Sequence, residues 1–172
     1  MKDLIYLGNI WDYPSALKRL PGCRVRALLY EEEGDADGAL RAAKAHGAPV
    51  FRVRTDAEVR MVLEELPGID LAVMANFGVL LKAPTLALPV SGFVNFHPGL
   101  LPEQAGRAPV SRVWAAGGGP SALTVHRVTP EVDQGPVLWT FPYEIDPRIS
   151  LDQNLHLIYR LGTPIFPSLL AL

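Results

Sequence analysis

Apolar residues occur in short runs through the first half of the chain, and stretches with helical periodicity separate these runs. The apolar runs predict four strands, at residues 3–8, 24–30, 49–53 and 69–75. The stretches between them predict a charged loop at residues 31–34 and three helices, at residues 14–20, about 37–46 and 56–66. Strands that alternate with helices are typical of a parallel sheet with crossover helices.

The second half of the chain follows a different order. Its predicted elements are a loop leading into a short helix, a fifth strand, a helix, two further strands and a helical end, at residues 76–81, 93–97, 108–116, 121–128, 136–145 and 150–172. The last two strands suggest a hairpin-like pair on one side of the sheet. We therefore predict one α/β domain over residues 1–172.

The fifth strand carries the most informative polar residues. Side chains alternate faces in a strand, so Asn95 and His97 share one face while Val94 and Phe96 occupy the other. Pro98 ends the strand and leaves His97 at its carboxyl end, where open α/β sheets bind ligands. The alternative is that both polar side chains only hydrogen-bond a neighbouring loop.

Composition narrows the class of protein. Cys23 is the only cysteine, which excludes an internal disulfide and, with four scattered histidines, a cysteine-rich zinc site. Apolar runs are too short for a signal peptide or a membrane span, and the net charge of −2 comes from interspersed charges. These features predict a cytoplasmic protein without a metal site and without a surface for nucleic acid or membrane.

Three common motifs are missing from the chain. Gly8 follows the first strand without a Gly-x-Gly-x-x-Gly fingerprint, so a dinucleotide cofactor is not expected. Gly117-Gly-Gly119 lacks the Lys-Ser/Thr of a P-loop, and there is no Gly-x-Ser-x-Gly nucleophile turn. The sequence alone leaves the roles of two polar residues undecided. His126 either lines a site or, as we favour, has a structural role. Asp133 lies in a polar turn, where a carboxylate is common.

Four motifs in order carry a family resemblance. They are Val94-Asn-x-His-Pro-Gly-Leu-Leu-Pro102, Gly106-x-Ala-Pro109, Thr124-Val-His126 and Val132-Asp-x-Gly-Pro-Val-Leu138. Together they resemble the folate-dependent formyltransferase family, which includes glycinamide ribonucleotide, methionyl-tRNA and nucleotide-sugar formyltransferases. The resemblance implies a three-layer, Rossmann-like fold with a mostly parallel sheet and helices on both faces.

The resemblance also implies roles for individual residues. Asn95, His97 and Asp133 match the family's catalytic positions, and 10-formyltetrahydrofolate is the implied formyl donor. The folate is expected between two segments, which comprise Phe77, Gly78, Val79, Leu80, Val132 and Asp133. We expect Asp133 to favour the protonated form of His97, so that His97 and Asn95 donate to the formyl oxygen while Asp133 receives the proton of the amine.

The acceptor is expected at the carboxyl edge of the first strand. Trp11 and Tyr13 are candidates to stack on it and Asp12 to attract its amine, with Asn9 and Arg107 as further contacts. The alternative is a helix N-cap with two packed rings.

Three departures from the family bear on the acceptor. Ala122 replaces a common glycine and is expected to crowd the site. The segment Gly8-Asn-Ile-Trp-Asp-Tyr13 does not resemble the family's phosphate-binding loop, and we expect no C-terminal barrel for tRNA. We therefore predict a small-molecule amine, such as an amino sugar or nucleotide sugar, as the acceptor. The alternatives are a 10-formyltetrahydrofolate hydrolase and a non-catalytic folate-binding module.

Overall fold

A computed structural model describes residues 1–31 and 36–172, and its described strands form one seven-stranded sheet. In chain order the strands β1 to β7 are Lys2–Gly8, Cys23–Glu31, Val50–Val53, Leu71–Ala75, Phe93–His97, Gly119–Arg127 and Val137–Ile145. Their order across the sheet is β3-β2-β1-β4-β5-β6-β7. The first five strands pair in parallel, and β6 and β7 are antiparallel, which confirms the predicted hairpin-like pair at one side.

Helices connect the strands at nearly the predicted positions. In chain order α1 to α7 are Asp12–Lys18, Ala36–His46, Asp56–Glu65, Ala83–Leu86, Pro109–Ala115, Leu151–Arg160 and Phe166–Leu169, with a 3-10 helix at Thr163–Ile165. The break predicted near Gly162 is the start of this 3-10 helix. Of the predicted charged loop, Glu31 ends β2 and residues 32–34 lie outside the described residues. None of the described helices is long and apolar enough to cross a membrane.

Each face of the sheet has its own apolar core, because side chains alternate along every strand. In β1, Leu4 and Tyr6 pack into one core, and Ile5 and Leu7 pack into the other. Helices α1, α2, α5, α6 and α7 contribute to the first core, whereas α3 and α4 contribute to the second. The chain therefore has the predicted three-layer arrangement with helices on both faces.

The order in which strands join the sheet reverses at β1 and β4. The chain first adds β2 and β3 on one side of β1, and then returns to add β4 and β5 on the other side. The two strand ends approach closely there: a Cβ atom on Gly8 would lie 1.8 Å from the carbonyl oxygen of Ala75. Gly8 also has a φ of 136°, so a side chain is excluded both by space and by conformation. Such a switch point is where α/β sheets usually open a ligand crevice.

Candidate active site

A cleft of about 750 Å³ opens at the carboxyl edge of the sheet. It extends from the β1–β4 switch point to the end of β5, and the loops that follow β5 and β6 form its far wall. Its polar lining includes Asn9, Asn76, Asn95, His97, Arg107 and Asp133. The volume is within the usual range for a small-molecule site.

Strand β5 presents Asn95 and His97 to this cleft. Val94 and Phe96 alternate with them and pack into the core on the opposite face, as the sequence predicted, and Phe96 also borders the cleft. His97 is only 5% exposed and is the last residue of the strand. The strand thus places an amide and an imidazole side by side at the edge where ligands bind.

Asp133 joins these two residues, so the predicted catalytic set converges. Its Oδ2 atom lies 3.5 Å from Nδ1 of His97 and accepts a hydrogen bond of 2.8 Å from the main-chain N–H of Gly106. Asp133 has a φ of 55°, in the left-handed region that only a few residue types adopt readily. The loop after β6 therefore holds this carboxylate in a conformation that its surroundings must stabilise.

The other nitrogen of His97 is fixed by the loop that follows β5. Nε2 donates to the main-chain oxygen of Gln104 at 2.9 Å, since a carbonyl oxygen can only accept. A Cβ atom on Gly99 would lie 2.8 Å from Nε2 and 3.0 Å from that oxygen, so the glycine leaves room for this bond. In its neutral form His97 therefore carries its proton on Nε2 and turns an unprotonated Nδ1 toward Asp133.

Gln104 anchors this loop with its side chain, a role that the sequence did not reveal. Its Oε1 accepts from the N–H of Leu100 at 2.9 Å and from the hydroxyl of Ser121 at 2.6 Å, and its Nε2 donates to the carbonyl of Pro120 at 2.9 Å. Thr124 adds a hydrogen bond of 2.7 Å to the carbonyl of Gly99. These bonds hold the loop against β6. They thereby keep the main-chain oxygen of Gln104 in place as the hydrogen-bond acceptor for His97.

His126 lies beside this cluster but does not line the cleft, so the favoured interpretation of a structural histidine still applies. Its Nε2 atom lies 3.2 Å from Nδ2 of Asn95 and 3.6 Å from Oδ1 of Asp133. Strand register explains the contact, since β6 pairs His126 directly with Asn95. The alternation of Thr124 and His126 in the sequence indicated that both share one face of a strand. It did not show the register between β5 and β6, which places His126 beside Asn95.

The charge state of His97 also differs from the expectation. Burial lowers the pKa of His97 and outweighs the raising effects of Asp133 and of the hydrogen bond to Gln104. Burial alone would raise the pKa of Asp133, but contact with the protonated form of His126, the N–H of Gly106 and the protonated form of His97 together lower it. At neutral pH the site therefore combines a neutral imidazole with an ionised carboxylate.

Most of the predicted folate segments line the cleft. Phe77, Gly78, Leu80 and Val132 are among its lining residues, and Leu80 and Val132 are 68% and 48% exposed. Val79 is half-buried, packs against the same core as Phe77 and is not among the lining residues. Its contact with a ligand stays a prediction.

Glu31 was not predicted in the site. It ends β2, lines the cleft and accepts a hydrogen bond of 2.7 Å from the N–H of Gly78. This contact ties the segment after β4 to the end of β2, and it depends on strand order that the sequence does not show.

The predicted acceptor residues divide between two cavities. Asn9 and Arg107 line the main cleft, whereas Trp11, Asp12 and Tyr13 line a neighbouring cavity of about 320 Å³ beside α6. Asn9, Leu155 and Tyr159 border both cavities, so the two adjoin.

The two aromatic residues of this segment differ in exposure. Tyr13 is 1% exposed and donates to the main-chain oxygen of Tyr159 at 2.7 Å, so the prediction that its ring stacks on an acceptor was wrong. Trp11 is half-buried and has edge contacts with Tyr6 and Tyr30, with ring centroids 6.4 and 6.3 Å apart. Asp12 is exposed at the start of α1.

Ala122 does not crowd the site. It is 1% exposed in β6 and is not among the residues that line the cleft. Within residues 1–31 and 36–172, no group of three or more His, Cys, Asp and Glu side chains has an arrangement that could hold a metal ion.

Solved structures share this fold. Glycinamide ribonucleotide transformylase 1 from Symbiobacterium toebii superposes with a TM-score of 0.80 over 98% of this chain and 85% of that protein, at 23% identity. A formyltetrahydrofolate deformylase from Pseudomonas syringae pv. tomato superposes with a TM-score of 0.77 over 96% of this chain and 59% of that protein, at 16% identity. At these identities the likeness concerns the fold alone.

Sequence comparison identifies the family. A family model described as formyl transferase matches residues 31–168, and methionyl-tRNA formyltransferase from Chloroflexus aggregans is 34% identical over 131 residues. The chain belongs to the formyl transferase family. That alignment covers 75% of this chain but 42% of the relative. Methionyl-tRNA formyltransferase from Thermus thermophilus is 35% identical, and its alignment covers 59% of this chain and 34% of the relative.

The chain thus spans less than half the length of these curated relatives. Both relatives are named for a tRNA acceptor, so the comparisons do not support the expectation that nucleic acid plays no part.

Proposed function

We propose that this chain transfers a formyl group from 10-formyltetrahydrofolate to the amine of a small-molecule acceptor. The observation that carries the proposal is the convergence of Asn95, His97 and Asp133 in one cleft of a chain that belongs to the formyl transferase family. When bound, 10-formyltetrahydrofolate supplies the formyl group that the amine takes up.

The cleft has surfaces suited to the folate. Leu80 and Val132 expose apolar side chains on the segments that follow β4 and β6, and Phe77 also lines the cleft. Apolar side chains can cover the faces of a flat heterocycle while main-chain groups hydrogen-bond its edge. We propose that this part of the cleft holds the pterin ring, so that the formyl group lies near the end of β5.

Asn95 and the His97–Asp133 pair have complementary tasks in the proposed reaction. As the amine attacks, negative charge collects on the formyl oxygen, and an N–H of Asn95 is the fixed donor for it. Removal of such a donor costs about 3–4 kcal/mol of transition-state stabilisation in comparable sites. The attacking nitrogen must also lose a proton. Because His97 is neutral and its Nδ1 is unprotonated, this atom and the adjacent carboxylate of Asp133 can take up that proton.

We assign the second cavity to the body of the acceptor. It adjoins the main cleft at Asn9 and Tyr159, so an amine beside His97 could belong to a molecule that extends toward Trp11 and Asp12. The exposed carboxylate of Asp12 favours an acceptor that carries positive charge, and the half-buried ring of Trp11 favours one with a flat or apolar part.

Two measurements test the proposal. The first is a thermal-shift titration with 5-formyltetrahydrofolate, a stable analogue of the donor, which should raise the melting temperature. The second is incubation with 10-formyltetrahydrofolate and amino sugars, nucleotide amino sugars, amino acids or methionyl-tRNA, in which formation of tetrahydrofolate should require one of the small amines.

The outcomes distinguish the alternatives. Formate release without any amine would indicate a hydrolase, and turnover with methionyl-tRNA alone would replace the small-molecule acceptor with a nucleic acid. A thermal shift without turnover under any condition would indicate a folate-binding module.

A further inference from the structure

The tautomer of His126 follows from its hydrogen bonds. His126 is 1% exposed, and its Nδ1 atom lies 2.9 Å from the main-chain oxygen of Arg127. A carbonyl oxygen can only accept, so Nδ1 must carry a proton. In the neutral imidazole, Nε2 then has a lone pair and acts as an acceptor.

This tautomer determines which atom of Asn95 faces His126. The closest approach between the two side chains is 3.2 Å, between Nδ2 of Asn95 and Nε2 of His126. An unprotonated Nε2 needs a donor, and only the NH₂ group of the amide is one. One N–H of Asn95 therefore donates to His126, while the second N–H and Oδ1 remain for a ligand in the cleft.

We propose that His126 is a positioning residue that fixes the orientation of the Asn95 amide, so that Asn95 offers both an acceptor and a donor to the reacting groups. Oδ1 would accept an N–H of the attacking amine, and the free N–H would donate to the formyl oxygen. This inference rests on the proposed formyl transfer for its kinetic consequences, but the orientation itself can be measured without turnover.

Protonation of His126 would reverse this arrangement. Nε2 would become a donor and would no longer accept from Asn95, so the amide would turn its Oδ1 toward the ring. The groups that face His126 are Asp133, whose Oδ1 lies 3.6 Å from Nε2, and His97, whose ring centroid is 6.4 Å away. Asp133 is the one carboxylate of this cluster and would pair with the charged ring.

The first test is nitrogen NMR of the wild-type protein at neutral pH. His126 should show a protonated Nδ1 and an unprotonated Nε2, and a coupling across the N–H···N hydrogen bond should connect Nε2 to the side-chain nitrogen of Asn95. A proton on Nε2 in the neutral ring, or a carbonyl of Asn95 facing it, would overturn the proposal whether or not the protein transfers formyl groups.

The second test compares variants of His126. In His126→Leu, the amide of Asn95 loses the hydrogen-bond acceptor that His126 provides. We expect kcat to fall about tenfold while the affinity for 5-formyltetrahydrofolate changes less than about twofold. In His126→Gln, an amide oxygen can replace Nε2 as an acceptor that does not ionise. This variant should recover most of the lost kcat.

His46→Gln is the matched control, because His46 is a half-buried histidine between α1 and α2 that does not line the cleft. It should retain wild-type kcat and the wild-type pH profile. Equal kcat in His126→Leu and the control, or no difference between the leucine and glutamine variants, would contradict the positioning role. If wild type shows no turnover with any acceptor, the proposed function fails and the NMR measurement alone decides the orientation.

Discussion

The Nδ1 atom of His97 lies 3.5 Å from the Oδ2 atom of Asp133, although His97 ends β5 and Asp133 lies in the loop between β6 and β7. The distance is slightly beyond a good hydrogen bond. Catalytic contacts are often this long without substrate and shorten when the reacting groups are in place. A neutral imidazole and an ionised carboxylate at this distance form a pair that can take up one proton.

Acid should destabilise the protein through His97. Burial lowers the pKa of His97 in the folded state, so the unfolded chain binds a proton first as the pH falls. Folding stability that depends on neutral His97 is therefore present above the ordinary histidine pKa of about 6.5 and decreases below it. Urea unfolding at about pH 7.5 and about pH 5.5 should show a larger loss of stability in wild type than in His97→Gln.

Two other groups do not disturb that comparison. Asp133 also has a lowered pKa, but its contribution is lost only as the pH falls through the acidic range of a carboxyl group. Burial lowers the pKa of His46 as well, but His46 is present in both proteins and cancels in the difference. Equal losses in wild type and His97→Gln would show that His97 is not held neutral by burial.

Substitution of Leu80 should weaken folate binding without unfolding the protein. Leu80 is 68% exposed and lines the cleft, so a bound pterin would cover surface that is now open to water. Leu80→Ser should weaken binding of 5-formyltetrahydrofolate by about 1–2 kcal/mol, roughly 5- to 30-fold, in a calorimetric titration.

The control is Met61→Ser, since Met61 is 59% exposed on α3 and does not line the cleft. If both variants bind the analogue as wild type does, the folate does not contact Leu80. Val79 is a poorer choice for substitution, because its side chain packs against the core and its loss would confound binding with folding.

The acceptor cavity can be tested through Asp12. Asp12→Asn removes one exposed charge at the start of α1 and should raise the KM of a cationic acceptor by about fivefold, the effect of roughly 1 kcal/mol. Its kcat should not change. Asp37→Asn is the control, because Asp37 is the equivalent exposed carboxylate in the first turn of α2 and does not border either cavity. Identical KM values in the two variants would exclude Asp12 from acceptor binding.

Loss of the Gln104 side chain should impair the reaction through His97. In Gln104→Ala, the N–H of Leu100 and the hydroxyl of Ser121 lose their acceptor, so the loop that positions the carbonyl for His97 is released. We expect kcat to fall about tenfold with unchanged folate affinity, and the pH profile of kcat to shift. Gln134→Ala, at an exposed glutamine in the next loop, should behave as wild type. An unchanged pH profile in Gln104→Ala would limit Gln104 to a structural role.

The sequence predicted features of the site that depend on local periodicity. Asn95 and His97 share a face because residues two apart in a strand always do, and Pro98 ends the strand whatever surrounds it. Asp133 was predicted from the family resemblance, since no local pattern separates it from an ordinary turn carboxylate.

Other features depend on tertiary contacts that no local pattern contains. Tyr13 follows an exposed residue in the chain, yet α6 packs over it. The main-chain oxygen of Tyr159 in α6 accepts a hydrogen bond from its hydroxyl. The contact between His126 and Asn95 is set by strand register, and the charge state of His97 by how deeply the loop after β5 buries it. The anchoring role of Gln104 comes from three hydrogen bonds with the loop itself and with β6.

The most direct test of the proposed mechanism is a double-mutant cycle on His97 and Asp133, measured as single-turnover formyl transfer to an amine that the wild type accepts. His97→Ala and Asp133→Asn should each lower the rate by about 10² or more while the affinity for 5-formyltetrahydrofolate changes little. If the two residues act as one unit, the double variant should be no slower than the slower single variant by more than a small factor. Losses that multiply in the double variant, or transfer at the wild-type rate by either single variant, would contradict this account.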